Sequence, residues 1–408
     1  MDNRIKKGIA FAAAIGLPAL AIAGTEPAPI ETSVSNSGDW CTWLQNKPGT
    51  LYKNKENPFL QSLQIGGRFH YQAAYLEGED VNGRDFNDTY DEYRRVRIES
   101  KTEFLQYFAV KAGINIEGDS RNVAGGGDLD WGYQDFDEAY IAFDIKKAFG
   151  AGPLDALNIQ YGRHKFKMTE EVHMSSKEIY TIERSAIANK LFGANNRPTG
   201  VTLNGAMGDW SATLGLFSGE DDSEFIGGWN DGQAYYLSVG YTQSESLRYV
   251  LDFVQNDQSG ADDFLGYERA TTFNAIYSEG PFGVLGTVVL GENNGAGNRG
   301  GSFYGLVAMP WYWIMEDKLQ AVFQYQYAGS EEDQGIRTNS RYVRADHSPG
   351  VNVNGGRGDE LHTLYAGLNY LICGDNLKVM AGIEYATLDT QIGNVDAFTY
   401  SMAFRTFF

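Results

Sequence analysis

Cysteine is almost missing from this 408-residue chain, which has only Cys41 and Cys373. That excludes the disulfide framework that holds small secreted domains together, and leaves open one bond between the two or a pair of buried thiols. Histidine is as sparse: His70, His164, His173, His347 and His362 are dispersed, with no H-E-x-x-H and no Cys/His spacing, so no metal and no cofactor is assigned. Positive charge is short too, 33 Lys and Arg against 53 Asp and Glu for a net charge of -20, and no dense basic run offsets it. Binding to nucleic acid, which needs clustered phosphate contacts, is excluded on that ground. Outside the first 24 residues no uninterrupted apolar run reaches 18, so helical membrane spans are excluded as well.

What is abundant is glycine, 49 residues, and aromatic side chains, 13% of the chain. Together they favour many short strands joined by turns. At the N-terminus Arg4, Lys6 and Lys7 precede an apolar, small-residue stretch that ends Ala21-Ile22-Ala23. This is a charged region, an apolar region and a cleavage site, so residues 1–23 are read as a signal peptide and the protein as exported. Its removal takes three positive charges and one negative, leaving about -22. Residues 24–62 form an N-terminal segment whose 25–38 stretch is a leader rich in Pro, Ser, Thr and Asn.

From residue 63 the sequence alternates with period two. Leu63, Ile65, Phe69, Tyr71, Ala73 and Tyr75 fall on one side of the first such segment, and Gln64, Arg68, His70 and Gln72 on the other. The last segment runs to Phe408 with Phe398, Tyr400, Met402 and Phe404 on one side. Fourteen further segments lie between them, for sixteen strands in all. Short joins such as 104–106, 207–208 and 372–375 alternate with long polar ones such as 77–90, 167–198, 328–359 and 387–396. In lipid every backbone polar group must be satisfied, so a sheet spans a bilayer only when closed on itself. An even strand number, short turns on one side, long loops on the other and an export signal predict an all-β, 16-stranded antiparallel transmembrane β-barrel over 63–408. The short turns and the 24–62 segment are expected on the periplasmic side and the long loops on the extracellular side. A soluble propeller or sandwich would lack this alternation. Trp210, Trp311, Trp313 and several strand-end tyrosines are expected in the interfacial aromatic girdles. The closing Phe404-Arg405-Thr406-Phe407-Phe408 resembles the signal, ending on Phe408, by which the assembly machinery of outer-membrane proteins recognises its clients.

A channel selects through the charges on its narrow part. Parity turns Arg68, Arg95, Arg97, Lys101, Lys111, Arg248, Lys378 and Arg405 inward, against Glu99, Glu103, Glu117, Glu138, Asp144, Asp252 and Glu384, a wall near balance. Residues 163–197 instead carry seven Lys and Arg against four Glu. A mildly anion-favouring constriction at Arg68, Arg95, Arg97, Lys165 and Arg184 is one expectation. The other is a cross-wall network of Arg–Glu pairs that only solvates the lumen. Parity from Leu157, Ile159 and Tyr161 points Lys165 at lipid, so its use requires a bulge near Gly162 or a position above the membrane. The acidic runs at 220–222 and 331–333 read as solvated surface, and the glycines at 125–127 as loop.

From about Ile65 to Phe408 the sequence resembles the phosphate-selective porin O and P family. The resemblance is carried by Tyr93-Arg94-Arg95-Val96-Arg97, by Asp137-Glu138-Ala139-Tyr140-Ile141, and by Gln160-Tyr161-Gly162-Arg163-His164-Lys165-Phe166-Lys167 continuing to Ser175-Ser176-Lys177 and Ile182-Glu183-Arg184-Ser185. It implies a homotrimeric barrel in outer-membrane lipid whose third long loop folds into the lumen, a passive porin for small hydrophilic solutes or anions, and no catalysis. Two departures stand out. Lys167 stands where the family often has proline, and no strand carries the dense run of arginines on which phosphate selectivity in the family's best-known members rests. Two other classes compete with it. A plugged adhesin would fill its lumen with 167–198 and 328–359, and a rim enzyme would use His347 or His362, beside which no G-x-S-x-G appears. In the barrel topology Cys41 and Cys373 share the short-turn side, where a bond would pin the N-terminal segment across the lower rim.

Overall fold

The computed structural model describes residues 40–117, 122–123, 132–192, 197–219, 229, 232–257, 265–295, 299–345 and 347–408. The expected signal peptide and 25–38 leader and the runs at 125–127 and 220–222 lie outside them. Sixteen antiparallel strands make the wall: β1 Leu60–Glu79, β2 Asp85–Phe104, β3 Phe108–Asn115, β4 Asp135–Asp144, β5 Ala156–Arg163, β6 Thr199–Met207, β7 Trp210–Ser218 and β8 Gln233–Ser244 in the first half. The second half is β9 Leu247–Asn256, β10 Tyr267–Glu279, β11 Phe282–Asn293, β12 Ser302–Met315, β13 Leu319–Ser330, β14 Glu360–Leu371, β15 Leu377–Thr390 and β16 Gly393–Phe407. Each strand pairs with its neighbour in sequence, and β1 pairs with β16 from Arg68↔Phe407 to Glu79↔Asp396, so the barrel is closed.

The alternation is inverted relative to a soluble protein. Leu251, Phe273, Leu290, Leu306, Leu364, Ile383 and Met402 point outward and are exposed, while Gln72, Asn204, Asp252, Thr272, Asn274, Gln324 and Asn369 point inward and are buried. The interior polar groups bond across strands: Asn204 Nδ2 donates to Asn158 Oδ1 at 3.1 Å, Thr213 Oγ1 to Asn204 Oδ1 at 2.9 Å and Thr287 Oγ1 to Asn274 Oδ1 at 2.8 Å. An apolar outer band around a hydrogen-bonded polar lumen is the arrangement that lipid outside and water inside require.

Several strands run beyond the segments that the periodicity marks. β1 begins at Leu60, three residues before the first alternation. Because β1 reaches Glu79 and β2 starts at Asp85, the expected 77–90 loop shrinks to residues 80–84, and 387–396 shrinks to the two-residue turn between Thr390 and Gly393. The polar composition there belongs to strand ends standing clear of the apolar band. The other correction concerns Trp311. β12 continues to Met315 rather than ending at 310, and this places Trp311 in register with Phe303, Val307 and Met309 on the inner face, 3% exposed and stacked on Tyr180 at 4.6 Å. Trp210 does lie outside, 53% exposed beside Tyr241.

At the short-turn rim, a helix over Trp40–Gln45 leads to a short strand, Thr50–Lys53, that pairs with Ser62–Gln64 of β1. Those β1 residues lie beyond the end of β16, whose last contact is the exchange of backbone hydrogen bonds between Gly67 and Phe408. The strap therefore occupies the seam where the last strand runs out. Cys41 is joined by a disulfide to Cys373 in the β14–β15 turn, across 332 residues of sequence.

Candidate functional site

The segment after β5 does not return along the wall. Gly162 takes φ +129°, and a Cβ there would stand 2.4 Å from the Ala139 carbonyl oxygen, so the chain turns inward at a position only glycine fills. Residues 164–192 then cross the lumen. Their anchors are inward-facing wall groups: Thr169 N donates to Asp252 Oδ2 at 3.2 Å, Glu170 N to Asn274 Oδ1 at 3.0 Å, Ala186 N to Gln326 Oε1 at 2.7 Å, and Asn369 Nδ2 to the Tyr180 carbonyl at 2.7 Å. Arg405 donates to the Ile182 carbonyl. Apolar packing does the rest. The helix Ala186–Phe192 sets Ile187 against Gly305, where a Cβ would approach Ile187 Cγ1 to 2.8 Å, and Tyr180, Met174 and Ile179 pack on Met309 and Trp311. The inner face of β12 is apolar because it receives this loop.

Between the loop and the wall of β1 to β9 a cavity of about 240 Å³ remains open. Arg68, Arg94, Arg95, Arg97, Lys111, Lys165, Lys167, Arg184, Arg197 and Arg248 line it, and Asp137 and Glu138 are its carboxylates. All five residues singled out from sequence, Arg68, Arg95, Arg97, Lys165 and Arg184, are among them. Lys165 arrives there from the inward loop rather than the strand. No register shift interrupts β5 near Gly162; Lys165 stands two residues past Arg163 and donates to the Met174 carbonyl at 2.8 Å.

Beside the cavity strict parity fails in β2 and in β4, and each failure adds a charge. In β2, His70 faces Arg95 while Tyr71 faces Tyr93, so Arg94 is the extra residue of a bulge and reaches the lumen beside Arg95. In β4, Gly113 faces Glu138 while Ile114 faces Phe136, which brings Asp137 inward next to Glu138. Neither bulge has a glycine or proline signal in the sequence.

The charges along the passage fall into two arrangements. Arg68 Nε donates to Glu99 Oε1 at 2.8 Å and Nη1 to Ser176 Oγ at 2.8 Å; Arg97 and Arg197 share Asp137 at 2.7 and 2.9 Å; Lys111 pairs with Glu138, and Arg248 with Glu170 of the loop. These are the cross-wall pairs. Arg95 differs: it makes no hydrogen bond or ion pair among the described residues, and its buried Nη1 has no acceptor. In the loop, Arg184 is held by carbonyl oxygens, Nε to Glu171 at 2.6 Å and Nη2 to Met174 at 3.3 Å. Burial, reinforced by Arg184 and Arg197, pushes Lys165 well below the ordinary lysine range. Burial lowers Lys167 too, against the pull of Glu138, and brings Lys177 down to about 8 against the pull of Glu99. Burial works against the charge on Glu183, yet Arg94 and Arg95 hold that carboxyl well below the usual range. The passage is thus a basic surface partly neutralised by its own carboxylates. Among the described residues no group of His, Cys, Asp and Glu is arranged to hold a metal.

Several solved outer-membrane proteins share this fold. The outer-membrane channel DcaP of Acinetobacter baumannii aligns at TM-score 0.54 and 13% identity over 88% of this chain and 100% of its own. An anion-selective porin from Comamonas acidovorans aligns at 0.54 and 12% over 85% and 99%, and in-vitro folded OmpT of Vibrio cholerae in its trimer form at 0.52 and 10% over 85% and 99%. No curated protein matches the chain. The profile of the phosphate-selective porin O and P family matches residues 63–262, the stretch that holds the two bulges, the inward loop and all but a few of the charges described above. With the closed sixteen-stranded barrel, this match over 200 of the 408 residues gives the chain the architecture of an outer-membrane porin and a likeness, over that stretch, to the phosphate-selective porin O and P family.

Proposed function

We propose that the protein is an anion-favouring passive channel for small hydrophilic solutes in the outer membrane of a Gram-negative-type cell, and that three copies associate. The observation that carries the anion preference is the lining of the open passage, where ten Lys and Arg stand against Asp137 and Glu138. Fixed cations in a narrow low-dielectric passage raise the local concentration of anions and lower that of cations. Arg95 supports the same reading, because a buried guanidinium with no partner among the described residues has hydrogen-bonding capacity to offer a passing anion. Phosphate is the anion that the family resemblance favours. A trimer is favoured by that resemblance as well.

The test is the zero-current potential of the purified protein in a planar bilayer under a KCl gradient, repeated with potassium phosphate. An anion-signed potential supports the reading, and a cation-signed one overturns it. Absence of discrete conductance steps would favour the plugged adhesin.

A further inference from the structure

We propose that the loop between β13 and β14 is a second inward-folded element that sets ion selectivity by covering two carboxylates of the wall, Glu92 and Glu384. The proposal rests on reading the barrel as an open channel.

Thr338, Asn339, Ser340, Tyr342 and Val343 are buried, although they belong to a connection between strands. Tyr342 is 3% exposed and lies flat on Tyr90 with ring centroids 5.2 Å apart. Its hydroxyl donates to Glu92 Oε1 at 2.8 Å and accepts from Gln72 Nε2 at 2.8 Å, while Arg341 Nη2 stands 3.1 Å from Glu92 Oε2. Asn339 Nδ2 donates to Glu384 Oε2 at 2.7 Å, and the hydroxyls of Ser340 and Thr399 are 3.1 Å apart. Glu384 faces Thr399 across β15 and β16, and Gln72 faces Glu92 across β1 and β2. The covered groups therefore form one patch over four consecutive strands, on both sides of the barrel's seam.

The loop is also fastened on both sides of this patch along the sequence. Lys190 Nζ of the first inward loop donates to the Gly335 carbonyl at 2.7 Å, so the two inward elements rest on each other. At the long-loop rim His347 Nδ1 is 2.5 Å from Asp88 Oδ2, and Asn352 N donates to Asp80 Oδ2 at 2.8 Å.

The electrostatic consequence follows from position. Glu92 lies in β2 two residues from Arg94, so its charge, if left in water beside the passage, would oppose that of the arginines. Arg341 neutralises it and the Tyr342 hydroxyl encloses it, while the Asn339 amide covers one oxygen of Glu384 with a hydrogen bond. The wall between β15 and β2 is thereby withdrawn from the lumen, and ions are confined to the basic side. Composition would show only a loop; the selectivity arises from which carboxylates it hides.

The experiment replaces residues 338–343 with a Gly-Ser linker in the full-length protein and measures conductance and the chloride-to-potassium permeability ratio from reversal potentials. The expected result is a larger conductance and a ratio lowered about threefold, as two newly exposed carboxylates near the passage imply. Adding Glu92→Gln and Glu384→Gln to the linker variant should restore the ratio while the conductance stays high. An increased conductance with an unchanged ratio, or no restoration by the two glutamines, overturns the proposal. Should the linker variant fail to fold, Arg341→Gln with Tyr342→Phe leaves the backbone in place and is read by the same ratio. A parent channel that favours cations would refute the anion reading alone, because the loop variant must still shift the ratio further toward cations.

Discussion

Arg94 Nε of β2 lies 2.7 Å from Glu183 Oε1 of the inward loop, and Arg94 Nη2 lies 3.2 Å from Glu183 Oε2, a two-point clasp between wall and loop. Gln72 donates to the same carboxylate at 3.0 Å. Glu183→Gln removes a negative charge facing Arg94 and Arg95 and loosens the loop. The anion-to-cation permeability ratio should rise together with open-channel current noise. The half-buried pair should cost about 2 kcal/mol when one partner is removed, less than a fully buried pair because water reaches it. Recordings with an unchanged ratio would show that the clasp lies off the conducting path.

Arg95 and Arg97 neighbour each other in the passage but should respond differently to mutation. Arg95 makes no hydrogen bond or ion pair among the described residues, so Arg95→Gln should lower anion preference without lowering the thermal unfolding midpoint. Arg97 shares Asp137 with Arg197, so Arg97→Gln releases part of that carboxylate's charge and should both lower anion preference and destabilise the barrel. The double change Arg95→Glu with Arg97→Glu should turn the channel toward cations. Reversal potentials unmoved by that double change would place both residues away from the narrow zone.

The lysines of the inward loop give the channel a pH dependence. Lys165 and Lys167 are held below the ordinary lysine range and Lys177 is brought to about 8, so all three lose their protons at lower pH than a solvated lysine. Each proton lost removes a positive charge from the passage or its border. Anion preference should therefore weaken as pH rises from about 7 to about 9, well before ordinary lysines titrate. For stability the sign is opposite: a depressed amine binds its proton better in the unfolded chain, so the fold gains stability as pH rises between about 8 and about 10.5 at Lys177. Reversal potentials across that range test the first effect. Lys165→Gln with Lys177→Gln should flatten the profile, and a profile left unchanged by both would assign the titration elsewhere.

The strap at the short-turn rim offers a separate test. Thr50–Lys53 pairs with β1 where β16 has ended, and the Cys41–Cys373 bond ties that strap to the β14–β15 turn. Replacing both cysteines by serine should weaken the seam by about 2–4 kcal/mol. The folded barrel's compact mobility in an unheated detergent gel should then be lost at a lower temperature, with conductance unchanged. Reductant should reproduce the shift in the parent. Equal unfolding temperatures in all cases would mean that the strap holds without the bond.

Period-two alternation made the strands legible because lipid outside and water inside impose opposite chemistry on successive residues. The positions that resisted are those where the inner face meets protein instead of water. Trp311 looked like a girdle residue, since an apolar inner face makes sense only once the inward loop is known to lie on β12. Arg94 and Asp137 were hidden by bulges, which reverse parity without a mark in the sequence. The missing arginine run has the same explanation. No strand carries it, but Arg94, Arg95 and Arg97 from β2, Lys165 and Arg184 from the loop, Arg197 before β6 and Arg248 from β9 converge on one cavity, a cluster assembled by the fold from distant segments. The covering of Glu384 was equally invisible, because parity places a carboxylate inside the barrel but not beneath a loop, and Glu92 joins it there only because the Arg94 bulge reverses its face.

The most direct test of the basic passage is the reversal potential of single channels of the purified protein under a KCl gradient at neutral pH. Discrete steps with an anion-signed potential, reduced in Arg95→Gln, are the predicted result. A cation-signed potential, or one that Arg95→Gln leaves unaltered, would contradict it.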